Sequence, residues 1–114
     1  MLELVLPYPP SINHLWRRVG PRTLISREGR RFRTQVLAIL AEQSIESFHG
    51  PIAVDIEVFP PDNRRRDIDT VQKALLDALE KAGVYHDDSQ IVRLTIQKGE
   101  TVEGGKTIVQ IRSA

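Results

Sequence analysis

Between Ile52 and Ala82 the apolar residues change period, and that change confines the chain to a mixed fold. From Ile52 to Phe59 they alternate, the mark of a half-buried strand, until Pro60-Pro61 stops the ladder. Beyond them, Val71, Ala74, Leu75, Ala78, Leu79 and Ala82 recur every three or four residues. That spacing predicts a helix over 70–82, with Gly83 as the residue that closes it.

The flanks extend the pattern. Leu2 to Leu6 is a short strand-forming run halted by Pro7-Tyr8-Pro9-Pro10, and Ser11 to Pro21 reads as a polar, basic loop. Ser26 is suited to cap a helix that carries Phe32, Val36, Leu37, Ile39, Leu40 and Ala41. That helix is expected to run from Arg27 to Phe48 and to stop at Gly50-Pro51. Ile91 to Lys98 and Lys106 to Arg112 are two further strands, joined by a glycine-containing connection from Gly99 to Gly105. Strand, helix, strand, helix, strand, strand is an α+β order: a single mixed sheet of about four strands with two helices packed on it, in one domain over 1–114.

Charge narrows function. Of 12 arginines, seven lie between Arg17 and Arg33, where only Glu28 opposes them, and three more are Arg64, Arg65 and Arg66. Arginine suits forked contacts with phosphate, so clustering in a chain of net charge +1 implies one basic face made for nucleic acid, the alternative from charge alone being a solvated, ion-paired surface. Arg17, Arg18, Arg30, Arg31, Arg64, Arg65 and Arg66 are the expected DNA contacts. The first six residues are apolar but too few for a membrane span or a signal peptide, and cysteine is absent. A cytoplasmic protein without membrane association is expected.

Chemistry concentrates around the second helix. Arg64-Arg65-Arg66-Asp67-Ile68-Asp69 sets three cations beside two carboxylates, and Asp87-Asp88 follows the helix. Carboxylates crowded together repel unless something compensates them, and a hard divalent cation facing phosphate does so. Asp69 with Gln72 has the spacing of a capping box, which explains one aspartate but not two. Lys73 lies one helical turn from Asp69, while Asp77 and Lys81 continue the row as a ladder of exposed ion pairs. A helix over 70–82 is about 20 Å long, so Asp88 lies a helix length from Asp69 unless the loop folds back or a second subunit supplies it. His86 and His14 read as polar surface, because an oxygen-donor site does not need imidazole. Trp16 either stacks on a base or anchors the core.

Together these residues resemble the RusA family of Holliday-junction resolvases. The likeness runs from Pro7-Tyr8-Pro9-Pro10-Ser11 and Asn13 through Ser26-Arg27-Glu28-Gly29. It is densest in Arg65-Arg66-Asp67-Ile68-Asp69, Gln72-Lys73-Ala74, Asp77-Ala78-Leu79, Lys81-Ala82-Gly83 and Asp87-Asp88 with Gln90. The resemblance implies a homodimeric, magnesium-dependent endonuclease (manganese a possible substitute) that cuts four-way DNA junctions. It makes Asp67, Asp69 and Asp88 metal-binding catalytic carboxylates, Lys73 the catalytic lysine and Asn13 a DNA contact. Thr70, where the family usually has asparagine, and Ile12, where an asparagine commonly precedes Asn13, depart from the pattern without removing a carboxylate. Two rival readings are a non-catalytic nucleic-acid-binding module and a phosphohydrolase of small esters. The second lacks a glycine loop to cradle a phosphate.

Overall fold

A computed structural model describes residues 1–10, 16–19, 22–66 and 68–114, with the backbone alone at 16–19, 22–24, 69 and 70. Strands β1 (Leu2–Leu6), β4 (Ile52–Phe59), β5 (Ile91–Lys98) and β6 (Lys106–Ser113) form one sheet in the order β1-β6-β4-β5. β4 and β5 are parallel, and the other pairings are antiparallel. A parallel pair requires a crossover, and the helix α2 (Asp69–Lys81) supplies it. The other described helix, α1 (Arg27–Ala41), precedes β4. The expected α+β architecture is present.

Side-chain alternation puts one face of the sheet against the helices. Leu4, Val109, Ile56 and Ile96 form one rung across all four strands, and Leu2, Ile111, Val54 and Leu94 form the next. Val71, Ala74, Leu75, Ala78 and Leu79 of α2 and Phe32, Val36 and Leu40 of α1 bury against this layer. Full burial of a Leu- or Val-sized side chain contributes about 1.5–3 kcal/mol, so this stripe, not surface charge, holds α2 in place. The opposite sheet face is polar, with Arg112 bonded to Asp55, Gln97 to Glu57 and Gln110 to Glu3.

Both helix ends follow from sequence. Ser26 caps α1 by accepting a hydrogen bond from the Gly29 amide at 3.1 Å. After α2, Gly83 takes φ +84°, with its amide bonded to Glu80 and the Val84 amide to Leu79. That is a complete Schellman closure, sealed by the buried Val84 and Leu79 side chains.

Two expectations need correction. The stretch from Ser11 to Pro21, expected as a loop, contains a strand: β2 (Trp16–Val19) pairs antiparallel with β3 (Arg22–Ile25), with Trp16 opposite Ile25. The strand formers Trp16, Val19, Thr23, Leu24 and Ile25 flank the turn-forming dipeptide Gly20-Pro21, a hairpin signal hidden under the three arginines Arg17, Arg18 and Arg22. Second, α1 ends at Ala41, not Phe48. The buried row Phe32, Val36, Leu40 would continue through Gln43, Ser44 and Ser47, which bury nothing, so further helix gains no packing. Ser44 instead adopts φ 49°, and the chain turns so that Ile45 and Phe48 pack on the core.

The helices run side by side in the same direction. Arg33, midway along α1, meets Asp77 in the middle of α2, and a crevice lined by Leu40, Ala41, Ala82 and Gly83 joins their C-terminal ends. Their N-termini therefore share the edge of the sheet where β4 and β5 end. Arg30 and Arg31, in the first turns of α1, are exposed, and Arg30 Nη1 donates to the Ile25 carbonyl at 3.3 Å.

Candidate active site

The segment between β4 and α2 is built as a lock. Arg66 Nη1 donates to Asp62 Oδ1 at 2.6 Å and to the Asp62 carbonyl at 3.2 Å, and its guanidinium lies 5.7 Å from the Tyr8 ring centroid. Lys98 Nζ, at the end of β5, donates to the Arg66 carbonyl at 2.5 Å. The hairpin between β5 and β6 braces the same segment, with Val102 N bonded to the Pro60 carbonyl and Thr101 Oγ1 to Asn63 Oδ1. Hydrogen bonds from Arg66 and then from the Arg64 amide hold the Asp62 carboxyl at about 2. A carboxyl lowered in this way contributes its stabilisation above its unfolded value and loses it as pH falls through the folded one. The lock is therefore complete above about pH 4 and opens only toward pH 2.

The three arginines of this segment thus divide. Arg66 is turned into the protein with its side chain 21% exposed, whereas Arg64 is 83% exposed and Arg65 also points to solvent. Arg66 is occupied in shaping the segment that delivers the two aspartates, a task its DNA-contact assignment did not anticipate. The i, i+4 spacing of Asp62 and Arg66 was the available signal.

Asp69 is the first residue of α2, with Ile68 in the cap position and no side-chain cap bond. The expected capping box is absent, because a helix entered at Ile68 places Asp69 and Gln72 one position too far along. Asp67 lies outside the described residues, as does Asn13. The side chains of Asp69, Arg17, Arg18 and Trp16 are likewise outside them. Lys73 is exposed one turn after Asp69. Asp77 does not form the expected ladder with Lys81: its Oδ2 is held by Arg33 Nε at 2.7 Å and Nη2 at 2.6 Å. A forked guanidinium on the neighbouring helix outcompetes a flexible ammonium one turn away.

Asp88 is where the helix-length problem changes. Asp88–Gln90 is a single 3-10 turn capped by Asp87, whose carboxylate accepts from the Ser89 amide at 2.9 Å. Asp87 is thereby accounted for. Gln90 closes the capping box and ties the turn down. Its Oε1 accepts from the amides of His86 and Asp87, while its Nε2 donates to the carbonyls of Phe48 and Gly50. The Asp88 amide donates to Glu80 Oε1 at 3.1 Å, and the buried Tyr85 hydroxyl reaches both the Leu76 carbonyl at 2.6 Å and Asp88 Oδ1 at 3.1 Å. Asp88 is thus folded back along α2 to the level of Leu76 and Glu80. Those residues lie on the same stripe as Asp69 and Lys73, by the 3.6-residue period. From Leu76 to Asp69 is seven residues, about 10 Å along the axis, half the separation that loop length suggested.

One hydroxyl proton serves two acceptors here. Burial, reinforced by the Asp88 charge, pushes the Tyr85 hydroxyl well above its ordinary value, so it stays a donor. The shorter bond goes to Leu76, leaving the Asp88 carboxylate oriented but with lone pairs to spare. Tyr85→Phe is therefore expected to keep the fold while lowering divalent-cation affinity by about 10–100-fold, the usual cost of losing a partner behind a ligand. Cation titration of nicking or of tryptophan fluorescence measures it, and an unchanged midpoint would show that Tyr85 does not position Asp88.

Among the described residues no three His, Cys, Asp or Glu side chains gather closely enough to hold a cation. The described member of the proposed donor set fits a hard one, since Asp88 offers carboxylate oxygen.

Comparison with known proteins settles the kinship. The family profile described as Endodeoxyribonuclease RusA matches residues 7–112. The chain belongs to the RusA family. A crossover junction endodeoxyribonuclease of Enterobacteria phage HK97 is 37% identical over 110 residues, covering 96% of this chain and 92% of the relative. The Escherichia coli K12 protein of the same name is 39% identical over 105 residues, covering 91% and 88%. That of Enterobacteria phage 82 is 40% identical over the same length and shares. In this RusA-family chain, Tyr85 and Asp62 are the residues that sequence reasoning passed over, and Gln90 entered only as part of the family likeness, without a role. The Asp87-x-x-Gln90 capping pattern was legible, whereas nothing local marks Tyr85 as the hand that turns Asp88. No helix among the described residues is long and apolar enough to cross a membrane.

Proposed function

We propose that this chain is a structure-specific endodeoxyribonuclease that resolves four-way DNA junctions by paired nicks, acting in the cytoplasm as a homodimer. The observation that supports the reading is the folded-back Asp88, held against α2 by the Tyr85 hydroxyl and by Glu80, on the helix that begins with Asp69 and carries Lys73. Asp67, Asp69 and Asp88 offer hard oxygen donors to magnesium, with manganese as a substitute. The chemistry gained there is polarisation of a phosphate and acidification of water. Lys73 places a compact ammonium where charge develops on the phosphoryl oxygens. Arg64 and Arg65, exposed beside the lock, and Arg30 and Arg31 at the start of α1 hold the flanking backbone, joined by Arg17, Arg18 and Asn13. Two such sites related by a dimer twofold suit the symmetry of a four-way junction.

A synthetic four-way junction and a linear duplex, each incubated with and without magnesium, test this directly. Paired nicks in the junction alone, and only with the cation, are expected. Tight junction binding without nicking would establish a non-catalytic binding module instead.

In this reading each protomer supplies its own set of carboxylates, Asp88 being held against the same α2 that Asp69 begins. Co-expressed Asp69→Asn and Asp88→Asn chains are therefore expected to give an inactive mixed dimer. Recovery of single-strand nicking in that mixture would mean that Asp88 serves the partner's site.

A further inference from the structure

His49 and His86 face each other on the surface, with His86 Nε2 3.1 Å from His49 Nδ1 and the ring centroids 4.9 Å apart. We infer that this pair is a binding site for a borderline divalent cation of the zinc or nickel class, separate from the carboxylate site. Two imidazole nitrogens bound to one tetrahedral zinc at 2.0–2.1 Å are about 3.3–3.4 Å apart, close to the separation already present. Little movement is needed to admit the ion.

The backbone is arranged to keep them there. Phe48 and Tyr85 form a parallel bridge, closed by the Phe48 amide donating to the Val84 carbonyl at 2.8 Å, so the next residues, His49 and His86, leave it side by side. The Gln90 side chain then fastens both segments at once: its Oε1 accepts from the His86 amide at 2.7 Å, and its Nε2 donates to Phe48 and Gly50 on either side of His49. A chelating pair whose two backbones are already joined loses little conformational freedom on binding, which is what favours a two-ligand site. Neutral histidine carries one ring proton, and at present one N–H must lie between the facing nitrogens. A tautomer switch in the donor ring moves that proton to its outer nitrogen and frees both inner lone pairs, with no net proton lost.

The donor set decides the class of ion. Imidazole favours zinc, nickel and copper, while magnesium and manganese favour oxygen, so the nuclease cofactor does not compete here. No third carboxylate, histidine or cysteine joins the pair among the described residues, and water would complete the coordination sphere. Modest affinity follows. The consequence is mechanical: an ion there cross-links residue 49 to residue 86, two positions before Asp88.

Calorimetric titration of zinc chloride into the full chain, in excess magnesium, tests the site. One equivalent per chain is expected, together with a rise in melting temperature of several degrees, since only the folded protein presents the pair. Both effects should vanish in His49→Ala and in His86→Gln and persist in Asp88→Asn; both histidines are exposed, so neither change removes packing. Equal zinc binding by the histidine variants and the parent, or its loss in Asp88→Asn, overturns the proposal. Neither outcome bears on magnesium-dependent nicking.

Discussion

Asp69→Asn is expected to abolish junction nicking while leaving junction binding intact or stronger. The substitution keeps shape and removes one negative charge at the first residue of α2. Its cost through the helix dipole is about 0.3–1 kcal/mol, far too little to unfold a domain held by the buried stripe of Val71, Leu75 and Leu79. The cost to chemistry is of another order. Cation-assisted stabilisation of a phosphoryl transition state amounts to several kcal/mol, and each 1.36 kcal/mol is tenfold, so a loss of about 10³-fold or more is expected. Binding should move the other way, because a carboxylate beside a phosphate backbone repels it. Single-turnover nicking and gel-shift titration of one labelled junction separate the two effects. A variant that nicks at the parental rate removes Asp69 from the site, and one that loses binding in step with nicking assigns it a structural role.

Periodicity made the framework legible: Ile52 to Phe59 could only be a half-buried strand, and Val71 to Ala82 only an amphipathic helix closed by Gly83. What failed was the reading of polar sequence. Glu42 to Ser47 looked like helix because nothing stopped it before Gly50, yet Gln43, Ser44 and Ser47, the positions that continue the buried row, offered no apolar side chain, and packing rather than propensity sets helix length. Trp16 to Val19 looked like part of the Ser11–Pro21 loop because its arginines masked strand formers. At the site, the acidic residues announced themselves by crowding, but their arrangement did not. Asp88 reaches the stripe of α2 through a tyrosine three residues earlier and a glutamate eight residues earlier, and Asp77 is held by an arginine 44 residues away. Contacts of that kind belong to the folded chain; no local pattern contains them.

The division among the three arginines yields the second large effect. Arg65→Ala, on an exposed side chain, is expected to weaken junction binding and to lower the salt slope by about 0.9, the share of one phosphate contact, with turnover at saturation unchanged. Arg66→Ala is expected to do the reverse. It removes the 2.6 Å and 3.2 Å bonds to Asp62 and the stacking over Tyr8, leaving Lys98 as the remaining clasp on the residue next to Asp67. A relaxation of about 1 Å in a group that positions reacting atoms costs about 10²-fold in rate, while affinity for the phosphate backbone survives. Lysine at this position keeps the charge but not the fork or the stacking, so Arg66→Lys should restore little. Asp62→Asn should reproduce the defect from the other side. The double variant should be no slower than either single one, because both remove the same contact. Saturating turnover and the salt dependence of binding, measured for all five chains, decide it. If Arg66→Ala flattens the salt slope and turns over at the parental rate, Arg66 touches DNA and the lock is incidental.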